Sequence, residues 1–329
     1  MRFGLFLPQG FLRELSSLEH GEEWDRILSV AERAESLGFE SVWVYDHFHT
    51  WPDPIIERVF EAFTLLTAVA ATTKNVRLGQ MCTCNELRPP AYLAKITSTI
   101  DVISRGRLDV GLGAGWYEEE LRAYGYPFLE DSVRIARLGE SVRILKAMWT
   151  ESQTSFDGEH YQISSAINEP KPLQNPHPPL WIAGGGERKT LRLVAEHADW
   201  ANFGYTVDEF VRKKDVLESH CVSVDRDPAD IGLSANLGVF LAETESRAQS
   251  NREAIRTRLE PKLRSATGIT LDGGTFGTSF TGSSEMLVDW LGTWMDAGLE
   301  YALIQLWDSV NDPESLERLA VEVMPNFST

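Results

Sequence analysis

The sequence predicts a single (β/α)8 barrel, the TIM-barrel class of α/β fold, with insertions. Short, continuously apolar runs alternate eight times with helical patterns along the chain, as parallel strands covered by helices should. Two segments, ESLGFESVWV near residue 40 and MDAGLEYALI near residue 300, share one layout of helix end, glycine, apolar residue, glutamate and strand. That is a reused βα unit and not a short-period repeat. The length of 329 residues, with 43% hydrophobic, suits one large barrel core.

The elements follow in order. Residues 2–7 form an apolar strand ended by Pro8. Trp24, Ile27, Leu28, Ala31, Ala34 and Leu37 recur at helical spacing over 22–37, with Gly38 as the residue just past the helix end and Phe39 packing back. Residues 40–45 are the second strand, 60–72 a helix, 76–81 the third strand, 90–103 a helix and 108–112 the fourth strand. The acidic run Glu118 to Glu120 suits the first turn of a helix. An amphipathic helix covers 131–149. Residues 150–179 hold five prolines and one strand-like run around His160 to Ile163, so they read as an inserted loop. The alternation resumes with strands at 180–183, 200–203, 233–241 and 301–306. Helices cover 187–197, 207–224, 244 onward, 284–297 and 313–323. The Gly/Ser/Thr-rich stretch at about 265–284 reads as a mobile loop. No interior linker resembles a domain boundary, so residues 1–329 read as one domain.

Basic residues number 31 against 49 acidic, a formal net charge of −18. This argues against nucleic acid or an anionic membrane as a partner. Three cysteines, Cys82, Cys84 and Cys221, imply no disulfide framework and fit a reducing cytoplasm. No apolar run is long enough for a signal peptide or a membrane span.

Barrels carry function at the C-terminal ends of their strands. Those ends hold Pro8-Gln9, the segment DHFHTW (Asp46 to Trp51), Met81 to Asn85, Gly113 to Tyr117, Gly184 to Gly186, Asn202 to Tyr205 and Trp307-Asp308. The set is aromatic and glycine-rich, and it suits a flat polycyclic ligand better than a hydrolytic site. Gly111, Gly113 and Gly115 make a turn that either packs tightly or meets a ligand. Trp116 stands where a dinucleotide fingerprint needs glycine or alanine, so that fingerprint fails. Gly184 to Gly186 before a helix offer bare amides to an anion, with Arg188 and Lys189 close behind; a plain βα turn is the other reading. His47-x-His49 lacks partner ligands at other strand ends, so no metal is expected. Cys82 and Cys84 read as small residues near a packed site.

The combination of DHFHTW, LGAGWYEEE and WIAGGG, the last within PKPLQNPHPPLWIAGGG, resembles the bacterial-luciferase-like family of flavin and deazaflavin oxidoreductases. The resemblance covers almost the whole chain. Within that family the chain is most similar to the coenzyme F420-dependent branch. DHFHTW resembles the active-site segment of F420-dependent glucose-6-phosphate dehydrogenases, which reads DHF, two residues and Trp.

The resemblance implies a hydride transfer between F420 and a small organic substrate, by a homodimer. It places Asp46 and His47 beside the tricyclic ring, with His47 near the reacting edge and Trp51 as a wall of the substrate pocket. Met81 and Cys82 match a bulge behind the ring, where a cis peptide is expected. Ala114 and Gly115 approach the ring edge, and Gly184, Gly185 and Gly186 take the phosphate. One departure stands out: Trp116 occupies the position of the sugar-phosphate enzymes' catalytic glutamate, which puts sugar-phosphate oxidation in doubt.

A deazaflavin site must bind the ring, exclude water and present the substrate, a role open to Trp51, Trp116 and Tyr117. His47 either exchanges a proton or is a structural histidine satisfied by Asp46. Two alternatives share this layout. One is a two-component monooxygenase using reduced FMN; the other is a non-catalytic ligand-binding barrel.

Overall fold

The computed structural model describes residues 1–51, 54–259, 279–307 and 309–327. The eight predicted barrel strands are present and parallel: β1 (Arg2–Phe6), β2 (Ser41–Val44), β3 (Arg77–Gln80), β5 (Leu108–Gly113), β8 (Leu180–Ala183), β9 (Trp200–Asn202), β10 (Gly232–Leu241) and β12 (Tyr301–Leu306). They pair in the order β12-β1-β2-β3-β5-β8-β9-β10, and β10 pairs with β12 to close the barrel. A two-residue strand, β4 (Thr83–Cys84), adds to β5 beyond the end of β3.

The helices surround the barrel as expected. Among the described residues they are α1 (Glu23–Ser36), α2 (Ala62–Thr72), α3 (Pro90–Ser104), α4 (Glu118–Ala123), α5 (Asp131–Thr150), α6 (Thr190–His197), α7 (Val207–Ser223), α8 (Glu245–Leu259), α9 (Ser284–Asp296) and α10 (Pro313–Arg318). Helix α1 buries Ile27, Val30, Ala31 and Ala34. It ends as the sequence predicts: Gly38 takes φ +84°, its amide donates to Glu35 O, and Phe39 N donates to Ala34 O.

Four places differ from the sequence reading. The insertion holds an antiparallel hairpin, β6 (Thr154–Asp157) with β7 (Gln162–Ala166), where the sequence predicts one run. Residues 279–282 of the stretch expected to be a loop are β11 (Ser279–Gly282), parallel to β10; residues 260–278 lie outside the described residues. Helix α6 begins at Thr190 and not at residue 187, which leaves a longer turn after β8. The last helix passes from α to π geometry at Leu319–Val323.

The barrel interior is plugged by aromatic rings. Trp181 stacks on Trp200 at 4.7 Å and meets the edge of Trp43 at 4.8 Å, while Tyr301 abuts Trp200 at 5.5 Å. Trp43 Nε1 and Tyr301 Oη both donate to Ser41 Oγ. The neighbouring strands carry glycine where these rings lie, since a Cβ at Gly79 would run into Trp43 and one at Gly232 into Trp200. Below the rings, Arg77 pairs with Asp109 at 2.7 and 2.9 Å. With the lower half filled, a cavity is left at the C-terminal strand ends. Among the described residues, no helix is long and apolar enough to cross a membrane.

Candidate active site

A cavity of about 570 Å³ opens at the C-terminal strand ends, a size typical of small-molecule and cofactor sites. The strand order fixes its layout. His47 stands after β2, Met81 and Cys82 after β3, Ala114 and Gly115 after β5, and Gly184 and Gly185 after β8; all of them line the cavity.

The His47 end is built by one buried carboxylate. Glu120, on α4, accepts from Phe48 N at 2.7 Å and His49 N at 2.8 Å through Oε1, and its Oε2 lies 2.9 Å from His47 Nδ1. Burial pushes this carboxyl up, but the bonds from His47 and the two amides outweigh it, and the net shift is downward. The His47 ring stacks on Phe11 at 4.0 Å and meets Trp116 and Tyr117 edge-on at 5.6 and 5.9 Å. Trp116 is 42% exposed, so its ring forms part of the cavity mouth.

Asp46 lines the cavity too, yet its carboxylate is engaged elsewhere. Arg88 grips both oxygens at 2.7 and 3.0 Å, and Cys84 N donates to Oδ2 at 2.9 Å. Asp46 therefore holds the strand ends together and does not satisfy His47, whose partner is Glu120. Trp51 lies away from the cavity lining, in the aromatic cluster behind it, with its amide bonded to Phe11 O at 2.9 Å.

The Met81–Cys82 peptide is cis, as expected. The glycines after Leu108 have a packing cause as well as an open face. A Cβ at Gly113 would strike Cys82 Sγ, and one at Gly115, which has φ +81°, would come within 2.7 Å of Cys84 Sγ. Burial, then the Asp46 charge, push the Cys82 thiol up to about 12 and the Cys84 thiol higher still.

At the other end, Gly184 takes φ +125° and turns the chain out of β8. The amides of Gly185 and Gly186 have no acceptor among the described residues. The cation here is Lys213 of α7, bonded to Gly185 O at 2.8 Å and paired with Glu209 at 2.9 Å. Arg188 and Lys189, which the sequence suggested, are absent from the cavity lining, while Thr190 is part of it. Bare amides, a hydroxyl and an ammonium form a donor set that fits a phosphate. Among the described residues no cluster of three or more His, Cys, Asp or Glu side chains is placed to hold a metal.

A family model described as luciferase-like monooxygenase matches residues 1–293. The chain belongs to that luciferase-like family. It is 28% identical over 257 residues to an FMNH2-dependent dimethylsulfone monooxygenase of Pseudomonas putida, covering 75% of this chain and 67% of the relative. It is 34% identical over 181 residues to an F420-dependent glucose-6-phosphate dehydrogenase of Kineococcus radiotolerans, covering 55% of this chain and 51% of the relative, about half its length. The fold matches that of an F420-dependent secondary alcohol dehydrogenase solved with an F420–acetone adduct, with TM-score 0.81 and 20% identity over 100% of this chain and 99% of that one. The luciferase-like family thus includes both F420-dependent and FMNH2-dependent members.

Proposed function

We propose that this protein is an oxidoreductase that transfers a hydride between coenzyme F420 and a small organic substrate. The observation that supports the reading is a cavity with Gly185, Thr190 and Lys213 at one end, where an anion can be held, and a fixed histidine at the far end. When bound, a deazaflavin supplies one ring carbon that gives or takes a hydride. Gly185, Gly186, Thr190 and Lys213 would hold its phosphate, Met81 and Cys82 would lie behind the ring, and Ala114 and Gly115 would meet its edge. Phe11, Trp116 and Tyr117 keep water from the reacting face, and His47 exchanges a proton with the substrate there. Asp46 acts through Arg88, and Trp51 through the Phe11 loop, to keep this wall in place.

A titration with each cofactor tests the assignment, since F420 and FMN absorb at different wavelengths. Tight binding of F420 and weaker binding of FMN is the expected result. The opposite order would support the second reading, an FMNH2-dependent two-component monooxygenase. That reading draws on the sulfone monooxygenase match, which spans 75% of this chain against 55% for the sugar-phosphate dehydrogenase.

A further inference from the structure

Three groups of the loop after β2 converge on Glu120: His47 Nδ1 and the amides of Phe48 and His49. Backbone amides only donate, and an ionised carboxylate only accepts. The net downward shift of Glu120 keeps it an anion at neutral pH. A neutral imidazole that faces an anion through Nδ1 must carry its proton on that nitrogen. Nε2 then bears the lone pair. It has no partner among the described residues, and His47 lines the cavity. The second carboxylate nearby, Asp46, is taken up by Arg88 and Cys84 N. The rings of Phe11, Trp116 and Tyr117 hold the imidazole plane.

We infer that Glu120 is a positioning residue that locks His47 in the Nδ1–H tautomer and presents the Nε2 lone pair to the cavity. Its geometry stands alone, while its use in catalysis rests on the hydride-transfer reading above. The substrate group that fits against Nε2 is a hydrogen-bond donor, a hydroxyl or an amine. In carboxylate–histidine pairs the wrong tautomer removes the base while leaving the geometry intact.

The test is 15N–1H correlation spectroscopy of ring-labelled protein without cofactor, at about pH 8, above the ordinary imidazole range. His47 is assigned among the seven histidines by the signal lost in His47→Gln. The wild-type protein should show a proton on Nδ1 and none on Nε2. Glu120→Gln should reverse this. The Phe48 and His49 amides claim the carboxamide oxygen, so its NH2 group faces Nδ1, which must accept, and the proton moves to Nε2. A wild-type proton on Nε2, or an unchanged tautomer in Glu120→Gln, overturns the inference.

If the glutamine variant does not fold, Glu120→Asp keeps the anion and must keep the Nδ1–H tautomer; a switch there overturns the inference as well. F420 affinity in Glu120→Gln should stay within about threefold of wild type, as expected for a residue that acts through His47. Failure of F420 to bind the wild-type protein would sink the cofactor reading and leave the tautomer result untouched.

Discussion

Arg88 holds Asp46 with both arms of its guanidinium, Nη1 to Oδ2 at 2.7 Å and Nη2 to Oδ1 at 3.0 Å, on a side chain that is 0% exposed. The same Arg88 reaches Glu61, which caps the N-terminus of α2, and lies over the Phe63 ring at 4.6 Å. One cation therefore ties the end of β2 to the turn after β3 and to the start of α2. Removing it strands a buried carboxylate, and breaking a buried pair in this way costs about 3–5 kcal/mol. Arg88→Ala should lose stability of that order in denaturant unfolding. A loss under ~1 kcal/mol would mean that water replaces the guanidinium and that the pair does not hold the strand ends.

The role of His47 is separable from that of Asp46. His47→Ala removes a ring that touches the cavity but leaves the Phe48 and His49 amides on Glu120. Turnover should fall about 100-fold or more, the usual worth of a positioned acid or base, while cofactor affinity changes little. Unchanged turnover on a reporter substrate would make His47 a packing residue.

The barrel was legible because parallel strands must be apolar on both faces. LWIA at 180–183 and YALIQL at 301–306 are bounded by proline, glycine or charge, and both strands fall on the residues expected. The hairpin strand TSFD was not legible because its faces are half exposed and carry no apolar alternation. Glu120 hid inside a triple-glutamate run that reads as a solvated helix turn. Its signal is spacing, since Glu120 and Leu121 follow Tyr117 by three and four residues and share its buried side. Lys213 follows the same logic, lying between Phe210 and Leu217 on the buried face of α7. The family resemblance makes Trp51 a pocket wall, whereas its amide is bonded to Phe11 O and its ring is buried in the aromatic cluster.

Gly185 sits where backbone and Lys213 meet. Its φ lies outside the left-handed region, so a side chain there is not strained by the backbone, but a Cβ would displace the flexible end of Lys213. Gly185→Asp should therefore fold with a near-normal melting curve. The carboxylate would repel a phosphate and draw Lys213 away from it. Loss of F420 and FMN affinity alike is the expected result, and retained affinity would place the phosphate at another strand end.

Cys82 and Cys84 line the cavity, yet the chemistry around them makes poor nucleophiles. Burial is the main cause that pushes the Cys82 thiol up to about 12, and the Asp46 charge adds to it. A raised thiol pKa favours the neutral form, and only the thiolate attacks. At pH 8 Cys82 is therefore ionised far less than a free thiol near its usual value. Iodoacetamide labelling of Cys82 in the folded protein should therefore be about a thousandfold slower than that of a free thiol at pH 8. The rate should rise roughly tenfold per pH unit for as long as the fold survives. Peptide mass spectrometry reads each cysteine separately, so Cys221, buried on α7, does not confuse the result. Rapid labelling of Cys82 at pH 8 would point to a cation close to its thiolate and would favour a redox role for the Cys82–Cys84 pair. Slow labelling leaves the sulfurs as compact, polarizable packing: Gly113 and Gly115 provide the space they occupy, and that wall supports the ring position proposed for the cofactor.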